Sequence, residues 1–212
     1  MTVYDLTQDA VTTSGTHFYL YYALNKAEGD YLDIYKEMER FNPEKEYPGH
    51  EPKVAYYLAF SRKIFRAEVS IVLIASSLVE AMANVFLSQH ATSETFSILE
   101  RATPIEKWET LPKLYIQGYS LPKGGCTYNI LKLLNKRRNC LTHPKPRMEK
   151  GDFILHKGNL FERTTDEYKL HQDFCALPSM LIENMKNHDM RAASNLDIMF
   201  LMSSEIGNPL FK

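Results

Sequence analysis

Arg138, Asn139 and His143 fall within the stretch Arg138-Asn139-Cys140-Leu141-Thr142-His143. Together they hold the groups that proton transfer on an anion requires. An imidazole titrates near neutral pH and moves a proton in either direction. A guanidinium keeps its charge and matches the geometry of a phosphate or carboxylate, and an amide can orient either partner. Placed at 100° steps on a helix, Leu131, Leu134, Arg138 and Leu141 share one face, so Arg138 occupies a position that the pattern reserves for an apolar residue. A desolvated guanidinium without a partner costs several kcal/mol. Arg138 is therefore expected to meet a carboxylate, a phosphate, a symmetry mate or a water-filled cleft. Asn139 and His143 sit four apart on a neighbouring polar face with Lys132 and Lys136, where the amide can hydrogen-bond to the imidazole.

The charge around these residues favours an anionic substrate. Lys132, Lys136, Arg137, Arg138, Lys145, Arg147 and Lys150 are opposed within their span by Glu149 alone. Phosphodiester contacts are the usual reason for such a local field, and Lys136, Arg137, Lys145 and Arg147 are its candidate substrate-binding members. The whole chain, with 25 basic and 26 acidic residues and a net charge of -1, has no global field that would gather nucleic acid or anionic lipid. Basic residues also collect at helix C-termini because they complement the dipole, so spacing alone leaves a solvated helix end as the plainer reading.

The elements that must position this constellation are helical. Residues 17 to 41 have helix-like spacing, and the segment Asn42 to Lys53, with Pro43, Pro48, Gly49 and Pro52, is expected to stop any helix. From Val54 to about His90, apolar residues at 57, 60, 64, 71, 75, 78, 82 and 85 keep one face and predict the longest helix. Ser77, Glu80, Asn84 and Ser88 form a polar stripe on its other side, a solvated edge unless Glu80 lines a polar site as an accessory residue. Shorter helices are expected at 93 to 101 and at 104 to 116, the second carrying the only tryptophan, Trp108. Gly118 to Gly125 breaks the chain, and Thr127 is a candidate N-cap for the helix that carries the constellation. Pro144 disfavours helical geometry at the residue before it. Strands around 152 to 163 would make one small hairpin at Lys157-Gly158-Asn159, and Thr164 or Thr165 opens a last helix that Pro178 kinks or divides.

In this helical context the string Arg138 to His143 resembles the R-x4-6-H motif of the HEPN family, including the polar residue that commonly follows the arginine. The resemblance extends to a long upstream helix containing Ala75 to Asn84, a variable middle, the motif helix and a further helix, over roughly 54 to 190. It implies an all-α, HEPN-like helical bundle with a long central helix. Residues 1–50 would be an N-terminal extension packed on the core, 54–190 the HEPN-like domain, and 191–212 a C-terminal tail. It also implies a homodimer in which two motif helices face each other across a cleft, giving a metal-independent endoribonuclease with no cofactor. His143 would then transfer protons, Arg138 would stabilise the transition state, and Asn139 would orient groups in the cleft. The physiological setting that the resemblance suggests is a toxin or antiphage effector acting on RNA, restrained by an antitoxin or other regulatory protein. The alternative is a non-catalytic dimerisation module that binds RNA, a nucleotide or a partner protein. Lys145 stands where family toxins controlled by a nucleotidyltransferase often carry a tyrosine, so that mode of control is not implied.

Other chemistries have less behind them. Cys140 with His143 and His171 with Cys175 each have the spacing of one helical face and together could ligate zinc, but their order fits no zinc module. No G-x-S-x-G, phosphate-loop or H-E-x-x-H motif occurs. Three widely spaced cysteines suit a reducing compartment, and Met1 to Gly15 is polar and acidic where a secretory signal would be basic and then apolar. The expected location is cytoplasmic. The apolar stretch Val69 to Leu87 is interrupted by Ser70, Ser76, Ser77, Glu80 and Asn84, which predicts a buried or interface helix rather than a membrane span.

Overall fold

The computed structural model describes the backbone of residues 3–143 and 165–190 with Ala193 and Leu196, and the side chains of His17, of residues 19–143 and 168–190, and of those two. All regular structure among the described residues is helical: α1 (Val3–Arg40), α2 (Pro43–Glu46), α3 (Pro52–His90), α4 (Ser93–Leu99), α5 (Pro104–Tyr115), α6 (Cys126–Thr142) and α7 (Thr165–Lys186). The hairpin expected at 152–163, the tail at 191–212 apart from Ala193 and Leu196, and Pro144, Lys145 and Arg147 lie outside the described residues.

α3 is the central rod, with α1, α5, α6 and α7 packed around it. α1 runs antiparallel to it. Lys63 Nζ meets Glu37 Oε1 at 2.6 Å, and one turn further on the Tyr31 hydroxyl donates to Glu68 Oε1 at 3.4 Å. α7 lies beside α1, with the Tyr168 ring 4.7 Å from Tyr35 and the His171 ring 5.4 Å from Tyr31. Leu24, Ala27 and Tyr31 of α1 belong to the same apolar cluster as Ile64, Leu78 and Met82 of α3, Trp108 of α5, Leu131 of α6 and Phe174 of α7. Such burial contributes about 1.5–3 kcal/mol per large side chain. α3 is long and apolar enough to cross a membrane by length and composition, and 56% of its most apolar window is buried inside the fold.

Several local expectations are corrected. α1 ends at Arg40, before the segment 42–53 as expected, but that segment itself holds one turn of helix, α2, capped by Asn42 Oδ1 accepting from the Lys45 N–H at 3.2 Å. α3 begins at Pro52, because a proline in the first turn loses no intrahelical hydrogen bond. The N-cap of α6 is Gly125, not Thr127. Its N–H donates to the Pro122 carbonyl at 2.8 Å, and a Cβ there would sit 3.1 Å from that oxygen, so the tight turn favours glycine. α7 continues through Pro178. On α3 the buried row begins at Phe60, whereas Tyr57 is 56% exposed.

Candidate functional site

α6 carries the constellation on the outer part of the bundle. Leu131 and Leu134 are buried, and Leu141 is half-buried against the core. Arg138 is half-buried on the row that these leucines define. Among the described residues its guanidinium makes no ion pair. Asn139 and His143 are both exposed. α6 ends at Thr142, whose hydroxyl donates to the Arg138 carbonyl at 3.0 Å. His143 is the C-cap, with φ -130° and ψ 67°, and its N–H donates to the Asn139 carbonyl at 2.9 Å. The two residues are thus joined through the main chain, and no side-chain hydrogen bond links the Asn139 amide to the imidazole.

Lys132 and Lys136 are exposed one turn apart on α6, and Arg137 is half-buried beside them. Lys132, Lys136, Asn139 and His143 follow one another at steps of four, three and four, which makes an outward basic ridge ending at the imidazole. This arrangement can receive an anion along the ridge and offer it a proton-transfer group at one end.

Glu80, the accessory candidate, faces α5. Its carboxylate lies 4.0 Å from Lys107 Nζ, a lysine of α5 that is 1% exposed. The lysine donates to Asn84 Oδ1 at 2.7 Å. The polar stripe of α3 therefore receives α5, with the Trp108 indole N–H donating to the Val79 carbonyl at 3.0 Å alongside. Burial holds the Lys107 ammonium below its ordinary value, opposed by the attraction of Glu80 and Glu100.

Two buried charges were not singled out from the sequence, although each left a signal. Lys107 lies on the face of Pro104, Trp108 and Leu111, the same anomaly that marks Arg138. Glu68 fills the seven-residue gap between Ile64 and Ile71 in the apolar row of α3 and is fully buried beside Tyr31. Cys140, His143, His171 and Cys175 are not gathered into a metal-ligating group, and no cluster of three His, Cys, Asp or Glu side chains forms among the described residues. Burial, and then Glu28, push the Cys175 thiol up to about 12, which makes it a poor source of thiolate.

No protein-family model, no curated protein and no solved structure matches this chain.

Proposed function

We propose that the chain is a metal-independent endoribonuclease of HEPN type, acting as a homodimer with a composite site built from Arg138, Asn139 and His143 of each copy. The observation that carries this reading is Arg138, a half-buried guanidinium on an apolar helix row that finds no carboxylate among the described residues of its own chain. Packing the half-buried face of Arg138 and Leu141 against a second copy, with Leu134 held in its own chain's core, would bring the two arginines to a shared cleft, where a phosphodiester supplies the missing negative charge. His143 takes the proton of the ribose 2′-hydroxyl as that oxygen attacks the adjacent phosphorus. Arg138 stabilises the doubly charged oxygens of the pentacoordinate transition state. The bond to the 5′-oxygen breaks, that oxygen receives a proton, and the products are a 2′,3′-cyclic phosphate and a 5′-hydroxyl. Lys136 and Arg137, with Lys145 and Arg147 further along the sequence, hold flanking phosphates. A toxin or antiphage effector under the restraint of a partner protein is the setting that this activity fits.

A second reading, a non-catalytic dimerisation module that binds RNA, a nucleotide or a partner protein, draws on one observation. The Asn139 amide does not hold the His143 imidazole, which stands exposed past the end of α6. Cleavage of labelled RNA in the presence of EDTA separates the two. General acid–base catalysis contributes about 10²–10⁴-fold, so the first reading expects His143→Ala to lose most of the rate and Arg138→Ala to do likewise, with a cyclic phosphate end on the wild-type product. RNA binding without cleavage, equal in wild type and His143→Ala, supports the module instead.

A further inference from the structure

The first half of α3 carries an apolar row that no described element covers. Val54 and Leu58 are 43% and 50% exposed, and Phe65 and Val69 are half-buried without joining the core. With the small Ser61 between them, these residues follow steps of four, three, four and four, the spacing of a helix-pairing seam. Further along, the same line becomes Val72 and Ser76, both buried, so the uncovered seam is confined to the first half of α3 among the described residues.

Within α3, just before which exposed Glu51 stands as the N-cap, the charge beside the seam has one sign. Exposed Arg62 and Arg66 flank it on one side, with exposed Lys53 and Tyr57 on the other. Between Lys53 and Leu73 the only acid is Glu68, which is buried. Neither arginine has an ion-pair partner among the described residues, whereas neighbouring Lys63 is held by Glu37 of α1. A second copy laid on this seam would set basic flank against basic flank. Nucleic acid would gain little from the four apolar side chains.

We infer that this face docks an amphipathic helix of a partner protein, with aliphatic residues at alternating three- and four-residue steps flanked by Asp or Glu. The apolar row supplies burial and the arginines select the sign of the flank. This surface is independent of the α6 reading.

Two synthetic helical peptides with the same leucine spacing, one flanked by Glu and the other by Lys, are titrated against the full chain by fluorescence anisotropy. The Glu-flanked peptide is expected to bind and the Lys-flanked one to bind about tenfold or more weakly, with Arg62→Glu/Arg66→Glu reversing the preference. Leu58→Ser/Phe65→Ser should weaken the Glu-flanked peptide by about tenfold or more. Circular dichroism and thermal unfolding confirm that each variant folds. Equal binding of both peptides, binding unchanged by the serine variant, or no binding by either, as when a segment of the same chain fills the seam, would overturn the inference. So would binding of phosphatidylserine vesicles in place of the peptide, or a dimer in sedimentation velocity that Phe65→Ser dissolves.

Discussion

Lys107 of α5 donates from its Nζ to Asn84 Oδ1 of α3 at 2.7 Å, in a position where the lysine is 1% exposed. With Glu80 as far as 4.0 Å away, this hydrogen bond is the closest compensation for burying the ammonium. Removing the acceptor while leaving the charge is the costly change, and Asn84→Ala should destabilise the fold by about 1–3 kcal/mol. Lys107→Met keeps the stem and removes the charge, so it should be neutral or stabilising. Urea unfolding of the two single variants and the double variant tests this. An Asn84→Ala cost that persists undiminished in the Lys107→Met background would show that the amide acts through something other than the lysine.

The same burial gives Lys107 a pH signature. Its folded value lies below the ordinary lysine value of 10.5, chiefly through desolvation, with Glu80 and Glu100 opposing the shift. Between the folded value and 10.5 the unfolded chain binds more protons, so stability rises with pH across that interval. Lys107's contribution is fully present above 10.5 and is lost as pH falls through the folded value. The unfolding free energy of the wild type minus that of Lys107→Met should therefore shift in favour of the wild type from neutral pH toward 10.5. A flat or falling difference would mean that water reaches the ammonium.

These two groups mark where the sequence was legible and where it was not. α3 was readable from Phe60 to Val85 because its apolar spacing repeats over many turns, and α5 because Pro104 marks its first turn, where the structure adds a capping box between Thr103 and Glu106. Arg138 was readable as an anomaly for the same reason: a charge on an apolar row stands out. Glu68 was passed over because a seven-residue step reads as one continuous face whether or not the position between is apolar. Lys107 was passed over because a lysine beside a tryptophan on a short helix reads as a solvated edge. The partner of each charge was not legible. Asn84 and Lys107 are brought together by the packing of α5 on α3, a tertiary relationship that periodicity does not encode. Tyr57 was misassigned because it shares the angle of the buried row, yet is 56% exposed near the start of α3.

The cysteines should differ in reactivity. Cys126 is exposed at the first position of α6, whereas burial holds the Cys175 thiol up to about 12. A disulfide reagent at neutral pH should label Cys126 readily and Cys175 only after denaturation, since the thiolate is the reacting species. Peptide mapping after a timed reaction reads this directly. Labelling of Cys175 in the native protein at a rate close to that of Cys126 would show that α7 opens from α1 on the timescale of the reaction.

Arg138 offers the sharpest separation of stability from function. It occupies a row with Leu131, Leu134 and Leu141, so Arg138→Leu completes the apolar face of α6 and removes a half-buried charge without an ion-pair partner among the described residues. Within one chain this exchange should leave stability unchanged or raise it by roughly 0–1 kcal/mol. If the guanidinium serves a phosphodiester, the same variant should lose RNA cleavage, or RNA binding under the module reading, together with part of the salt dependence of binding. Thermal unfolding and RNA titration at two salt concentrations, made on the same preparation, give both readouts. A destabilised Arg138→Leu with RNA affinity and salt slope unchanged would mean that the arginine is structural, its counter-charge coming from protein rather than from substrate.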